Sequence, residues 1–149
     1  MAAQSRYQAG RDGRDGRDGA SASDKSCFGG GLTITGDAFY CGESLSLTKY
    51  DKTFANPLKV VSALDYPNAQ APWAPGVFGS EVLVAFRAEK TPMLAVPVAG
   101  GTARKVACEL EGPVESGAIE GENAFFMVSP FDRAAGNRKN RLYRLKITR

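Results

Sequence analysis

Three glycines, at positions 36, 79 and 121, are each followed by Asp, Ser or Glu and stand 43 and 42 residues apart. Two residues before each lies a branched apolar residue, Ile34, Val77 or Ile119. Shortly after each comes an apolar run: Phe39-Tyr40-Cys41, Val82 to Phe86, and Ala124 to Val128. A third, alternating stretch follows in every unit: Leu45-Ser46-Leu47 running to Tyr50, Met93 to Val98, and Leu142 to Ile147. The first two units add a fourth, Leu58 to Val61 and Arg104 to Ala107. A fixed period of this length means that one local structure is built several times over, and that restricts the fold more than composition does.

The repeated structure is β. Short apolar runs rich in β-branched and aromatic residues are separated by Gly, Pro, Asn and Asp, and Gly or Pro interrupts most stretches that could hold an apolar helical face. Each unit therefore reads as strand, tight turn at the Gly, strand, variable hairpin loop, strand, turn and fourth strand. The Gly100-Gly101 pair between Val98 and Val106 suits a turn that needs positive φ. A four-stranded unit of about 40 to 45 residues is one β-propeller blade. The expected fold is all-β: a partial propeller of about three antiparallel blades, in units of about 30–65, 74–112 and 116–149, the last without its fourth strand. A β-sandwich of similar strand count is the alternative.

The wording of the repeat also resembles a known family. Val96-Pro97-Val98-Ala99-Gly100-Gly101-Thr102-Ala103-Arg104-Lys105-Val106 is similar to the third strand, Gly-Gly turn and fourth strand of TolB-like propeller repeats. Phe39-Tyr40-Cys41-Gly42-Glu43 and Leu142-Tyr143-Arg144-Leu145 resemble second- and third-strand stretches of the same repeats. The resemblance covers residues 32 to 149 and implies stacked blades.

Closed propellers have typically 4 to 8 blades, so three blades leave two apolar faces in water, which invites association. Two coverings are expected: a second copy that completes a six-bladed ring, or further blades in a longer reading frame of which this is a piece.

Residues 1–26 differ in kind. GRDGRDGRDG sets Gly at every third position, as collagen does, but three triplets without Pro are too few for a triple helix. Opposite charges alternating with Gly favour a solvated coil, so this head is expected to be disordered and the repeat region to span 27–149. The order Arg-Asp-Gly gives no support to an Arg-Gly-Asp adhesion motif. Charge is also uneven: residues 1–25 carry +1, residues 26–132 carry −5, and the last 17 carry +7, which together make the net +3. A mildly acidic body thus ends in a basic tail.

His is absent, which removes Ser-His-Asp and Cys-His catalytic groups and His-ligated metal sites built from this chain alone. Asp37, Glu43, Glu81, Glu120 and Glu122 lie largely beside the repeated turns, where turn chemistry and solvated strand ends account for them. No DxDxDG-like loop concentrates them around Ca²⁺ or Mg²⁺. Ser44, Ser46 and Ser80 have no base. No catalytic residue, cofactor or metal site is nominated, and a non-enzymatic protein-interaction scaffold is the expected function.

Two surfaces are candidates for binding. Arg133, Arg138, Lys139 and Arg141 fall in FDRAAGNRKNR, the hairpin loop between the second and third strands of the last unit. Arg144 and Lys146 alternate with Tyr143, Leu145 and Ile147 on the strand that follows. Solubility of an outer strand explains that alternation; a patch for RNA or a heparin-like polymer is the functional alternative. The second surface is Tyr66 to Pro75, an extended connector whose Tyr66 and Trp73 could anchor a partner, although packing of Trp73 between blades is the commoner arrangement.

Cys27, Cys41 and Cys108 form no CxxC pair. A Cys27–Cys41 bridge is sterically feasible, but reduced thiols are expected, with Cys41 and Cys108 acting as small buried hydrophobes. No stretch approaches the roughly 20 apolar residues of a membrane span, and the N-terminus lacks the apolar region of a signal peptide. Membrane binding is not expected.

Overall fold

The structure is a computed structural model in which Cys27 and residues 32–147 are described. The expected disorder of residues 1–26 lies outside the described residues.

Thirteen strands occur among the described residues, with one 3-10 turn at Ala63–Asp65 and no α-helix. The first sheet is an antiparallel meander of β1 (Leu32–Ile34), β2 (Ala38–Gly42), β3 (Ser46–Asp51) and β4 (Leu58–Ser62). The second repeats it with β5 (Pro72–Phe78), β6 (Glu81–Phe86), β7 (Thr91–Pro97) and β8 (Arg104–Leu110). The third pairs β9 (Val114–Glu120), β10 (Asn123–Val128) and β13 (Arg141–Lys146). Between β10 and β13 the loop folds into a two-stranded hairpin, β11 (Phe131–Asp132) and β12 (Asn137–Arg138). The three units read in the sequence are thus three successive antiparallel sheets, and none closes on itself. The second begins at Pro72, two residues ahead of its expected start.

The repeated glycines occupy one topological place, the turn between first and second strands, but not one conformation. Gly79 (φ 59°) and Gly121 (φ 57°) are left-handed. Gly36 is not, and its turn is closed instead by the Thr35 hydroxyl, which bonds both Ala38 N–H and Ala38 C=O. Gly100 and Gly101 do take positive φ, 87° and 135°.

The sheets stack face to face, with the second between the other two. Side-chain direction alternates along a strand, so counting from each repeated Gly separates two faces. At even counts, Ala38 and Tyr40 of β2 point into the core shared with the second sheet, and Leu83 and Ala85 of β6 into the core shared with the third. At odd counts the direction reverses: Val82, Val84 and Phe86 face the first sheet, while Ala124, Phe126 and Val128 of β10 face the second. An even face therefore meets an odd face at both junctions. Full burial of one of these Val, Leu or Phe side chains is worth about 1.5–3 kcal/mol.

β5 lies against β1, β2 and β3 of the first sheet and against the first strand of the third, β9, whereas β4 and β8 make no comparable contact with another sheet. Small residues permit that approach. A Cβ on Gly117 of β9 would stand 3.1 Å from Cβ of Pro75, and one on Gly76 of β5 would stand 2.9 Å from Cδ1 of Ile119.

The expectation of reduced thiols is corrected: Cys27 and Cys41 form a disulfide, with Cα atoms 5.1 Å apart. Cys41 sits at an odd count in β2, directly across from Leu32, so its sulfur lies on the outer side of the first sheet. That placement, invisible before the strands are paired, brings it within reach of Cys27. Nothing is said of the Cys108 side chain, which lies outside the described ones.

Candidate functional site

One end of the stack gathers the loops between second and third strands. The β6–β7 turn Arg87-Ala88-Glu89-Lys90, the connector after β4, Pro113 and β12 enclose an open groove of about 430 Å³. Its walls are tied by hydrogen bonds. Arg87 N–H donates to Gln70 C=O at 3.1 Å, and Thr91 Oγ1 donates to Ala88 C=O at 3.3 Å. The Tyr66 ring leans on Phe86, with centroids 5.6 Å apart. Asn68 (φ 60°), Ala71 (φ 43°) and Lys90 (φ 53°) are left-handed without being glycine, a conformation that surrounding structure must impose and that gathers at ligand contacts.

The groove is cationic. Arg87, Lys90 and Arg138 line it against a single carboxylate, Glu89, which pairs with Arg138 Nη1 at 2.7 Å. Arg138 also donates to Ser129 C=O, which anchors the guanidinium between loop and turn.

Tertiary structure divides the expected basic patch. Arg138 enters the groove. Lys139 turns instead to Asp132, Nζ to Oδ2 2.6 Å, and this bond with the Ala134 and Ala135 amides holds the Asp132 carboxyl below its ordinary range. Arg133 is exposed in the turn between β11 and β12, Arg141 opens β13 opposite Val128, and Arg144 lies opposite Phe125 on the outer face of the third sheet. Among the described residues, the cations of the tail do not form one surface.

Of the two aromatic candidates, Trp73 is 8% exposed in the core between second and third sheets, and its Nε1–H donates to Val114 C=O at 3.2 Å. It packs and does not project. Tyr66 is half-buried beside Phe86; burial first, and Asp65 second, raise its hydroxyl pKa. Arg87 and Lys90 were missed by sequence reasoning. The available signal was positional: Arg87 to Lys90 fills the same slot in the second unit that FDRAAGNRKNR fills in the third.

Among the carboxylates, Glu81 receives Arg104 in a two-point pair at 2.8 and 2.6 Å, which lowers its pKa, and Glu43 accepts from Ser46 Oγ at 2.7 Å. Among the described residues no three His, Cys, Asp or Glu side chains converge on a common point. No known protein family matches the chain, and no significant match was found among curated proteins or solved structures.

Proposed function

We propose that the described region is a run of β-propeller-type blades, of the TolB-like kind its wording resembles, and that it serves as a non-catalytic scaffold for protein binding. The partner contacts the loop-end groove through an acidic segment. The observation that carries this reading is the groove itself: three cations from two adjacent units line one open cleft at the loop end of the stacked sheets. Support for blades comes from consecutive meanders, face-to-face stacking and neighbouring first strands, since a propeller requires all three. The carboxylates with resolved partners are spent on turns and cross-strand pairs, consistent with a binding surface in place of a reaction centre.

The test is a fluorescence titration with labelled Glu-rich peptides. Each charge-assisted hydrogen bond is worth about 1.5–3 kcal/mol, so changing Arg87 and Lys90 together to Ala should weaken peptide binding about tenfold or more. Lys139→Ala, away from the groove, should leave it unchanged. The runner-up is binding of RNA or a heparin-like polymer through the C-terminal cations. If the peptides fail to bind while RNA or heparin binds with steep salt dependence, and that binding falls on changing Arg138, Lys139 and Arg141 to Ala, the second reading replaces the first.

A further inference from the structure

A second cavity lies at the opposite end of the stack from the loop-end groove, among the turns that join first and second strands. The β1–β2 turn, the turn at Gly79 and Val98, just after β7, enclose a cleft of about 130 Å³ between the first two sheets. Tyr40 lines it; this residue is 1% exposed, and its ring packs in the core those sheets share. A buried phenol normally finds a partner for its hydroxyl. Among the described residues the Tyr40 hydroxyl makes no hydrogen bond, yet no fully buried side-chain oxygen is left unsatisfied. The Tyr40 oxygen therefore opens onto free space, and the cleft is the space that Tyr40 lines.

Two opposite charges line the same cleft without meeting. Lys49, across from Tyr40 on β3, donates to Val98 C=O at 3.0 Å. An ammonium has three N–H donors, so most of its capacity remains. Asp37 has the Thr35 hydroxyl, 3.2 Å from Oδ1, which Ala38 C=O also accepts at 3.1 Å. A carboxylate has about four acceptor sites, so it too is largely unspent. Among the described residues no ion pair joins Lys49 to Asp37. The cleft thus offers a cation and a phenol side by side on paired strands, and an anion in the turn before them. Size limits what can use them: an apolar cavity of about 150 Å³ takes up benzene, so this cleft admits a molecule of about six non-hydrogen atoms.

We infer that the cleft binds a small zwitterionic α-amino acid, its carboxylate taken by the Lys49 ammonium and the Tyr40 hydroxyl and its ammonium by Asp37. A simple anion would meet Lys49 but lie near a like charge on Asp37, and a simple cation would meet the reverse; a molecule with both charges is matched at both ends. The site shares no residue with the loop-end groove, so either can fail without the other.

Amide chemical shifts of the isotope-labelled chain, titrated with L-alanine, test this. Saturable shifts should centre on Gly36, Asp37 and Gly79. L-lactate, which has a hydroxyl in place of the ammonium, and ethylamine, which lacks the carboxylate, should each bind about tenfold more weakly or worse, for loss of one charge-assisted contact. Tyr40→Phe keeps the ring and with it the core, and Asp37→Asn alters an exposed side chain. Each should weaken alanine binding about tenfold and leave the rest of the spectrum in place. Absence of any saturable shift with alanine would overturn the inference. Equal affinity for lactate would reduce the cleft to an anion site at Lys49, and binding indifferent to both substitutions would put alanine elsewhere on the chain; either result overturns it too.

Discussion

Single residues set how closely the sheets approach. Gly112, in the link between β8 and β9, has φ 136°, and a Cβ there would stand 2.6 Å from the backbone nitrogen of Pro130. Gly112→Ala therefore combines an unfavourable dihedral with a clash that no side-chain rotation relieves. It should lower the unfolding free energy by about 2 kcal/mol or more in urea titration. Gly121→Ala carries only the dihedral penalty, since nothing lies within 4 Å of its Cβ position, and should cost less. Trp73 acts in the opposite sense, filling space between second and third sheets while its indole N–H satisfies Val114 C=O.

At the scale of the strand, buried and half-buried phenols make stability fall on the alkaline side. Burial, chiefly, raises the pKa of Tyr40, Tyr50 and Tyr66, with Asp37, Glu43 and Asp65 adding to it. The folded chain holds these groups neutral more firmly than the unfolded chain, whose tyrosines titrate near 10. Their contribution is complete below about pH 10 and is lost as pH rises through the raised values. Absorbance at 295 nm should show these tyrosines ionising together with the loss of β-sheet circular dichroism; a separate, earlier ionisation in the folded chain would contradict this. Glu81 works in the other direction: Arg104 lowers its pKa, so its contribution fades as pH falls through the depressed value, and with both groups partly exposed it is at most about 1 kcal/mol. Most strands were legible beforehand because their signals are local: Val82 to Phe86 is apolar throughout, as a strand covered on both faces is, and Tyr143 to Ile147 alternates and so declares its faces unaided. The groove was not, since Arg87 and Arg138 belong to different units and meet only after the sheets stack. Nor was the bond of Cys27 to Cys41, which depends on the side of β2 that Cys41 occupies.

For the whole molecule, that disulfide ties Cys27 to the outer side of the first sheet. Unfolded without reductant, the chain should take up one iodoacetamide adduct by mass spectrometry, and three after reduction; three in both states would exclude the bond. Closure of so short a loop stabilises by about 3 kcal/mol in the chain-entropy account, so reduction should lower the thermal midpoint by several degrees. The rule that even counts always meet odd counts has a further result, at the level of descent. A gene encoding such a unit can be copied in tandem, and every fresh boundary is already compatible with its neighbours. Chains of this design can lengthen or shorten by whole modules without inventing a new surface.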